Sequence, residues 1–369
     1  MGSIVSRIVL TGGPCAGKTR SLTKIEEHFE ELGYKVIIVP ETATILINGG
    51  IRCFGNKALD DFEFQNYILN MQLQHEKFFE ECAKSFKEDN KCIIIYDRGT
   101  LDGNAYIDND GFNRLLKYNN LSKIDLLDHY DTVIHLVTAA KGAEQFYTLD
   151  NNGARTETIE EARVKDELAM ISWSEHTNLH IVDNSTDFDE KINRVINIVS
   201  KSIGSNIVVR KQRKYLVDIS NLSQEFYNYY SPIEIEQSYM IDNEYEKRLR
   251  RRNIDGVNKY YYTVQSQDRK GSSIVHTDRK ISENEYYELL NSNNFDKTIT
   301  KIRYSFVYNN EQYRLDIFDN MCILESNYDS NLILPSGINI LSEITNNEEY
   351  YNANLASTKS KVKKLTNTI

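Results

Sequence analysis

No apolar run in this chain approaches the ~18 residues that a membrane-crossing helix needs, which excludes a transmembrane span. No hydrophobic leader opens it, which argues against secretion. The cysteines Cys15, Cys53, Cys82, Cys92 and Cys322 are odd in number and lack metal-ligand spacing, so they read as free thiols of a reducing cytosol. The basic excess of a nucleic-acid binder is also missing, since the formal net charge is -10. No internal repeat is visible. What is there is a 369-residue chain, 40% hydrophobic and 27% charged, long enough for two packed cores and expected in the cytoplasm.

Cations are concentrated locally against the acidic background: "RKQRK" at 210–214, "KRLRRR" at 247–252 and "KSKVKK" at 359–364. Such runs are often solvated faces, but they also gather for phosphates. Met1-Gly2-Ser3-Ile4-Val5-Ser6 matches the myristoylation pattern, which would put the protein at the membrane periphery.

Two grammars divide the chain. Up to about residue 205, short buried strands (5–10, 34–41, 91–99, 132–140, 179–184) alternate with helical segments (18–32, 58–87, one over "LSKIDLLDHYD", 158–177, 186–203). Thr158 and Glu161 form a capping pair for one of these helices. This alternation predicts a doubly wound, parallel α/β sheet. Residues 206–229 read as a connecting segment. From 230 to 356, tyrosine-rich and β-branched strands follow one another, separated by turns such as Asn309-Asn310, with one helix at 282–291. That predicts an antiparallel α+β or barrel domain. The tail 357–369 is polar and basic and reads as disordered.

The first candidate site is Gly12-Gly13-Pro14-Cys15-Ala16-Gly17-Lys18-Thr19, a full G-x-x-x-x-G-K-[ST] phosphate loop after a strand and before a helix. Backbone N–H groups and the helix N-terminus would hold phosphates, Lys18 would reach the β- and γ-phosphates, and Thr19 would ligate Mg²⁺. Asp97, ending "IIIYD", is placed to assist the metal or act as base; capping the next helix is the plainer role. Glu41 ends the second strand on the same sheet edge and could face an acceptor hydroxyl or a second-shell metal water, or simply start the next helix. Arg155 and Arg163 lie where a closing lid would carry its arginines, and either could instead form a surface i,i+4 pair. Asn184 is a base-side candidate or a turn residue. The expected ligand is Mg²⁺ with ATP or GTP; no guanine-reading motif decides between them.

"TGGPCAGKT", "VPETATIL", "YDRGTLDGNAY", "ARTETIEEA" and "HIVDN…DFDEKINRVI" together resemble the NadR/TRPL-translocation-defect-type P-loop domain over residues 6–203. The resemblance implies a kinase-like nucleotide-binding core. Asp97-Arg98 resembles the DR motif beside the acceptor in P-loop nucleoside and nucleotide kinases.

The second candidate site begins with "EIEQSYM", where Glu234 and Glu236 share a strand face. Arg248, Arg250 and Arg252 share another, and Lys301 with Arg303 a third. A charged strand face is ordinarily the solvent side; in a closed barrel it would line a lumen that binds polyphosphate. Residues 230–356 resemble a CYTH domain of the triphosphate-tunnel class, most closely in "SEIT…YYNANLA". The resemblance implies a tunnel of Glu234, Glu236, Arg248, Arg250, Arg303, Asp316, Glu325 and Glu343. It also marks departures: Ser238 stands at the signature lysine, Gln265 at a second lysine, and Asn327 at a glutamate.

Three functions follow: a P-loop NTPase or small-molecule kinase; a nucleotide-regulated adaptor that recognises a polyphosphate or an anionic lipid head group; and, last because of the missing lysines, an inorganic triphosphatase.

Overall fold

In the computed structural model, residues 5–86, 91–147, 158–203, 212–242, 245–267, 273–292, 295 and 297–358 are described. The chain forms two compact units, Met1–Gly204 and Ser205–Ile369. Residues 206–229, expected to connect them, hold a strand and a helix of the second unit. Gly2, Arg155 and the basic tail from 359 lie outside the described residues. Among the described residues no helix is long and apolar enough to cross a membrane.

The first unit is a five-stranded parallel sheet in the order β2-β3-β1-β4-β5. Its strands are β1 (Val5–Gly12), β2 (Lys35–Val39), β3 (Cys92–Asp97), β4 (Thr132–Leu136) and β5 (Leu179–Val182). Its helices are α1 (Lys18–Glu31), α2 (Thr42–Asn48), α3 (Asp61–Lys84), α4 (Asn109–Tyr118), α5 (Lys123–Leu127), α6 (Ile159–Ser172) and α7 (Phe188–Ser202). The runs "IVL", "CIII" and "TVIHL" are continuous because both sheet faces are covered, which removes the alternation of a half-exposed strand. Ile8, Leu10, Ile93, Ile95, Ile134 and Leu136 pack against Ile25 and Phe29 of α1 and Val195 and Val199 of α7. The expected parallel α/β fold is borne out. Thr158 caps α6 with a complete capping box to Glu161. Helices α2 and α4 were not foreseen.

The second unit is an antiparallel sheet whose strands run β10-β9-β8-β7-β11-β12-β13-β6-β14. They are β6 (Gln212–Asp218), β7 (Pro232–Asp242), β8 (Tyr245–Ile254), β9 (Val257–Gln267), β10 (Ser273–Ile281), β11 (Lys297–Tyr308), β12 (Glu311–Ile317), β13 (Cys322–Asn327) and β14 (Asn339–Glu343). A two-residue strand, β15 (Ser357–Thr358), pairs with β11. Helices α8 (Gln224–Tyr229), α9 (Glu283–Ser292) and α10 (Asn352–Leu355) complete it. Asn309 and Asn310 both adopt positive φ, the geometry of a two-residue hairpin joining β11 to β12. One sheet face carries two apolar clusters, one around Phe226, Phe306, Tyr313 and Leu324, the other around Leu249, Tyr260 and Tyr286. The opposite face is charged.

Candidate functional site

The glycine loop follows β1, the central strand, where the sheet order reverses and α/β folds open a ligand crevice. Residues 13–17 turn from β1 into α1. Gly12 has φ 148, and a Cβ there would lie 2.3 Å from the Leu136 carbonyl oxygen. Gly17 caps α1 at φ 91 with Phe188 packed against it. Both positions therefore require glycine.

Two buried charges brace the loop from behind. Asp166 of α6, fully buried, accepts the Gly13 N–H at 2.9 Å, the Thr138 N–H at 3.1 Å and contact from His135 Nε2 at 3.1 Å. Lys191 of α7 donates to the Ala16 carbonyl at 3.3 Å and the Val137 carbonyl at 2.8 Å. The Thr138 hydroxyl also donates to the Pro14 carbonyl. No local pattern marks these residues; each reaches the loop across more than a hundred positions of sequence.

In front of the loop, the half-buried Lys18 ammonium lies in the field of Arg98, Asp97, Glu41 and Asp102, and burial lowers its pKa. Among the described residues nothing forms an ion pair with it. Asp97 closes β3 beside Leu10 of β1. Burial raises its carboxyl pKa, and its Oδ1 is buried without a hydrogen-bond partner among the described residues. Thr19 is exposed at the first turn of α1, and its hydroxyl makes no hydrogen bond among the described residues. An orphaned carboxylate oxygen and a free hydroxyl near a phosphate loop suit a hard cation that completes its shell with phosphate oxygens and water. Among the described residues no three or more His, Cys, Asp or Glu side chains cluster as a metal site.

Arg98 sits at φ 74, a left-handed conformation that costs a non-glycine residue about 1 kcal/mol or more. Its guanidinium donates to Glu41 and, at 3.2 Å, to the Gly12 carbonyl. Burial alone would raise the Glu41 pKa; Arg98 and Lys18 outweigh it and hold it down at about 2. The turn is fixed from outside. Gln72 donates to the Arg98 carbonyl at 3.0 Å and to buried Glu76 at 3.0 Å. The Tyr130 hydroxyl, bonded to Glu76 at 2.9 Å, accepts the Thr100 N–H at 3.0 Å. Asp102 accepts from Thr11, from Gly99 N–H at 2.7 Å and from Trp173 Nε1 at 3.3 Å. The Arg98 guanidinium lies over the Tyr106 ring, 5.9 Å from its centroid, and Tyr106 also lines a cavity of about 630 Å³ with Asp60, Phe62, Asp108 and Arg114.

Two expected contacts are committed elsewhere. The Asn184 amide donates to the carbonyls of Thr138 and Lys141, both at 2.8 Å, so it holds a turn and its amide is already satisfied. Arg163 donates to the Ala140 carbonyl at 2.6 Å and pairs with Glu144 at 2.9 Å, a partner 19 residues away rather than one at i,i+4.

In the second unit the strand register corrects the expected tunnel wall. Glu236 stands opposite Arg251, and Gln237 opposite Arg250. Directly paired residues share a face, and faces alternate along a strand. Glu234, Glu236 and Ser238 therefore lie on the apolar, helix-covered face, away from Arg248, Arg250 and Arg303. Glu236 accepts there from Tyr286 of α9 at 3.2 Å and Arg251 at 3.3 Å. Ser238, 1% exposed, meets the Thr298 hydroxyl at 2.9 Å. Glu343 pairs with Arg213, also off the charged face.

The charged face joins Lys214, Arg248, Arg250, Arg252, Lys301, Arg303, Asp316 and Glu325. One half neutralises itself. Asp316 binds Lys301 at 2.6 Å and Arg303 at 2.6 Å; Glu325 binds Arg303 at 2.9 Å and Lys214 at 3.4 Å. The other half holds Glu246 and Asp278 beside Arg248, Arg250 and Arg252, but among the described residues neither acid forms an ion pair with Arg248 or Arg250; Arg248 reaches Asp278 through the Thr263 hydroxyl, at 3.1 and 3.0 Å. The Nε atoms of Arg248 and Arg250 are buried without partners among the described residues. Burial, with repulsion from Arg248, lowers the Arg250 pKa to about 9.

The first unit thus has the fold and loop of a P-loop nucleotide-binding domain. Residues 7–191, half of the chain, match the family described as "AAA domain", and the chain belongs to that family. A search of curated proteins found no match. Among solved structures the chain is similar to "the inorganic triphosphatase NE1496" at 20% identity, covering 40% of this chain and 95% of that one, with a TM-score of 0.29. A second structure, titled as the hypothetical protein NE1496, matches at 20% identity, covering 42% and 99%, with a TM-score of 0.30. Likeness of that size carries no argument about activity.

Proposed function

We propose that the first unit is a Mg²⁺-dependent purine-nucleotide-binding P-loop NTPase or small-molecule phosphotransferase. The observation that carries this is the unpaired Lys18 ammonium in front of a braced glycine loop, facing the orphaned Asp97 oxygen. Thr19 and Asp97 would hold the ion, which would offset phosphate charge when bound. Lys18 would bind the terminal phosphates. Arg98, fixed by Glu41 and the Gln72–Glu76 bonds and stacked over Tyr106, would orient an acceptor. The test is incubation of the full chain with Mg²⁺ and ATP or GTP, with products followed by mass spectrometry. Turnover should disappear in Lys18→Ala; turnover unchanged in that variant sinks the proposal.

A second reading, an anion-binding role for the second unit, is favoured by the unpartnered Arg248 and Arg250 Nε donors. They suit a phosphate group, from a free polyphosphate or a lipid head group. Triphosphate hydrolysis there ranks last, because Asp316 and Glu325 are occupied by Lys301, Arg303 and Lys214. Arg250→Met should lose tripolyphosphate binding; binding equal to wild type removes this reading.

A further inference from the structure

We infer that Lys191 is a second phosphate-binding cation of the loop, a buried ammonium behind Ala16 that serves as counter-charge to a bound polyphosphate. This rests on the nucleotide-binding reading above. Lys191 is 4% exposed. Its ammonium donates to the Ala16 and Val137 carbonyls and to Asn184 Oδ1 at 2.7 Å, and all three acceptors are neutral. Among the described residues no carboxylate lies within ion-pair distance of it. The charged groups that face it are Asp166 from α6, Asp183 beyond β5 and Arg194 of its own helix. Asp166 takes two backbone N–H groups and His135 on Oδ1, while its buried Oδ2 has no hydrogen-bond partner among the described residues; Asp183 pairs with Arg194 at 2.8 Å.

The hydrogen-bond partners of Lys191 are all neutral, so its positive charge, like the negative charge of Asp166, stays unpaired in the layer beneath the loop, and an anion bound on the loop would interact with it favourably. The glycine loop is where that anion would sit. The contact also orients the cradle. A trans peptide points its C=O and N–H in opposite directions, so holding the Ala16 carbonyl from behind turns the Gly17 N–H forward. The signature motif contains no such residue; Lys191 reaches the loop from 175 positions away.

Burial brings the Lys191 pKa down to about 8, so the empty protein holds this proton incompletely just above neutrality. A bound polyphosphate favours the charged form. Affinity is therefore full below about pH 8 and declines above it, and binding near that pH takes up a proton fraction.

The test is calorimetric titration of the full chain with MgATP and MgGTP between pH 7 and 9, in buffers of different ionisation enthalpy. Wild type should take up roughly half a proton near pH 8 and lose several-fold in affinity by pH 9. Lys191→Arg, which stays charged, should keep the affinity and lose the proton uptake. Lys191→Met should lose about tenfold or more. Uptake that persists in Lys191→Arg belongs to another group, such as Lys18, and overturns the inference, as does wild-type affinity in Lys191→Met. Where Lys191→Met does not fold, the wild-type proton count and Lys191→Arg decide. If wild type binds neither nucleotide, the nucleotide reading falls with it; if it binds without pH dependence, only the role of Lys191 falls.

Discussion

At the scale of single residues, the site is held by charges whose partners lie far off in sequence. Glu41 is the clearest to titrate. Its pKa is lowered in the fold, so its contribution to stability is fully present above its ordinary value of 4.5 and is lost as pH falls toward about 2. Glu41→Gln should cost about 1–3 kcal/mol at neutral pH, in the range of a broken, partly buried charged bond. That gap should narrow between about pH 5 and pH 2 in denaturant unfolding; a gap that stays constant would show that Arg98 does not hold the carboxylate. Gly99 makes a second prediction. A Cβ there would lie 2.5 Å from Trp173, whose indole nitrogen bonds Asp102. Gly99→Ala should destabilise by about 1–3 kcal/mol through overpacking. An unchanged unfolding midpoint would mean that Trp173 can move aside.

The phosphate loop was fully legible at this scale, because its chemistry is confined to eight consecutive positions. Asp166, Lys191, Asp102 and the Gln72–Glu76–Tyr130 bonds were not. Their side chains look ordinary in sequence, and only the crossing of α3, α6 and α7 over the sheet brings them to the loop and the Arg98 turn.

At the scale of elements, pattern and register carried different amounts of information. The alternation of buried strands with helices gave the parallel sheet, and the double asparagine gave the β11–β12 hairpin. The pairing of β7 was not readable. Glu234 and Glu236 share a face under any register, but which face depends on whether Glu236 meets Arg250 or Arg251, a one-residue choice. Strand β6 was hidden for a related reason. "QRKYLVD" is basic at one end, and only pairing with β13 and β14 makes it a strand. The register yields a pointed prediction. Ser238 lies opposite Leu249 in the apolar layer. Ser238→Lys would bury an ammonium there whose near carboxylate, Glu236, is already bonded to Arg251 and Tyr286, destabilising the protein by several kcal/mol, about 3–5 by analogy with broken buried pairs. A stable Ser238→Lys protein with gained polyphosphate affinity would reverse the facing of β7.

At the scale of the whole molecule, each unit carries its own group of buried cations. In the first, Lys18 and Lys191 lie at the glycine loop without an ion pair among the described residues. In the second, Asp316 and Glu325 pair with Lys301, Arg303 and Lys214, while Arg248 and Arg250 form no ion pair among the described residues. Arg250→Met should accordingly be neutral or stabilising without ligand, since replacing a buried charge that has no ion-pair partner by an apolar side chain often is. It should leave nucleotide binding by the loop unchanged. Thermal unfolding and nucleotide titration of the same variant check both points, and loss of nucleotide affinity would mean that the two units are coupled.

The bond from the Gly13 N–H to Asp166 has a spectroscopic consequence. That amide hydrogen is sheltered before any ligand arrives, so it should exchange slowly with deuterium in the empty protein and barely change on nucleotide addition. The Gly17 amide, whose carbonyl neighbour is held from behind, should pass from fast to slow exchange as phosphate binds. Within five residues, the loop would carry both an internal standard and a reporter of occupancy.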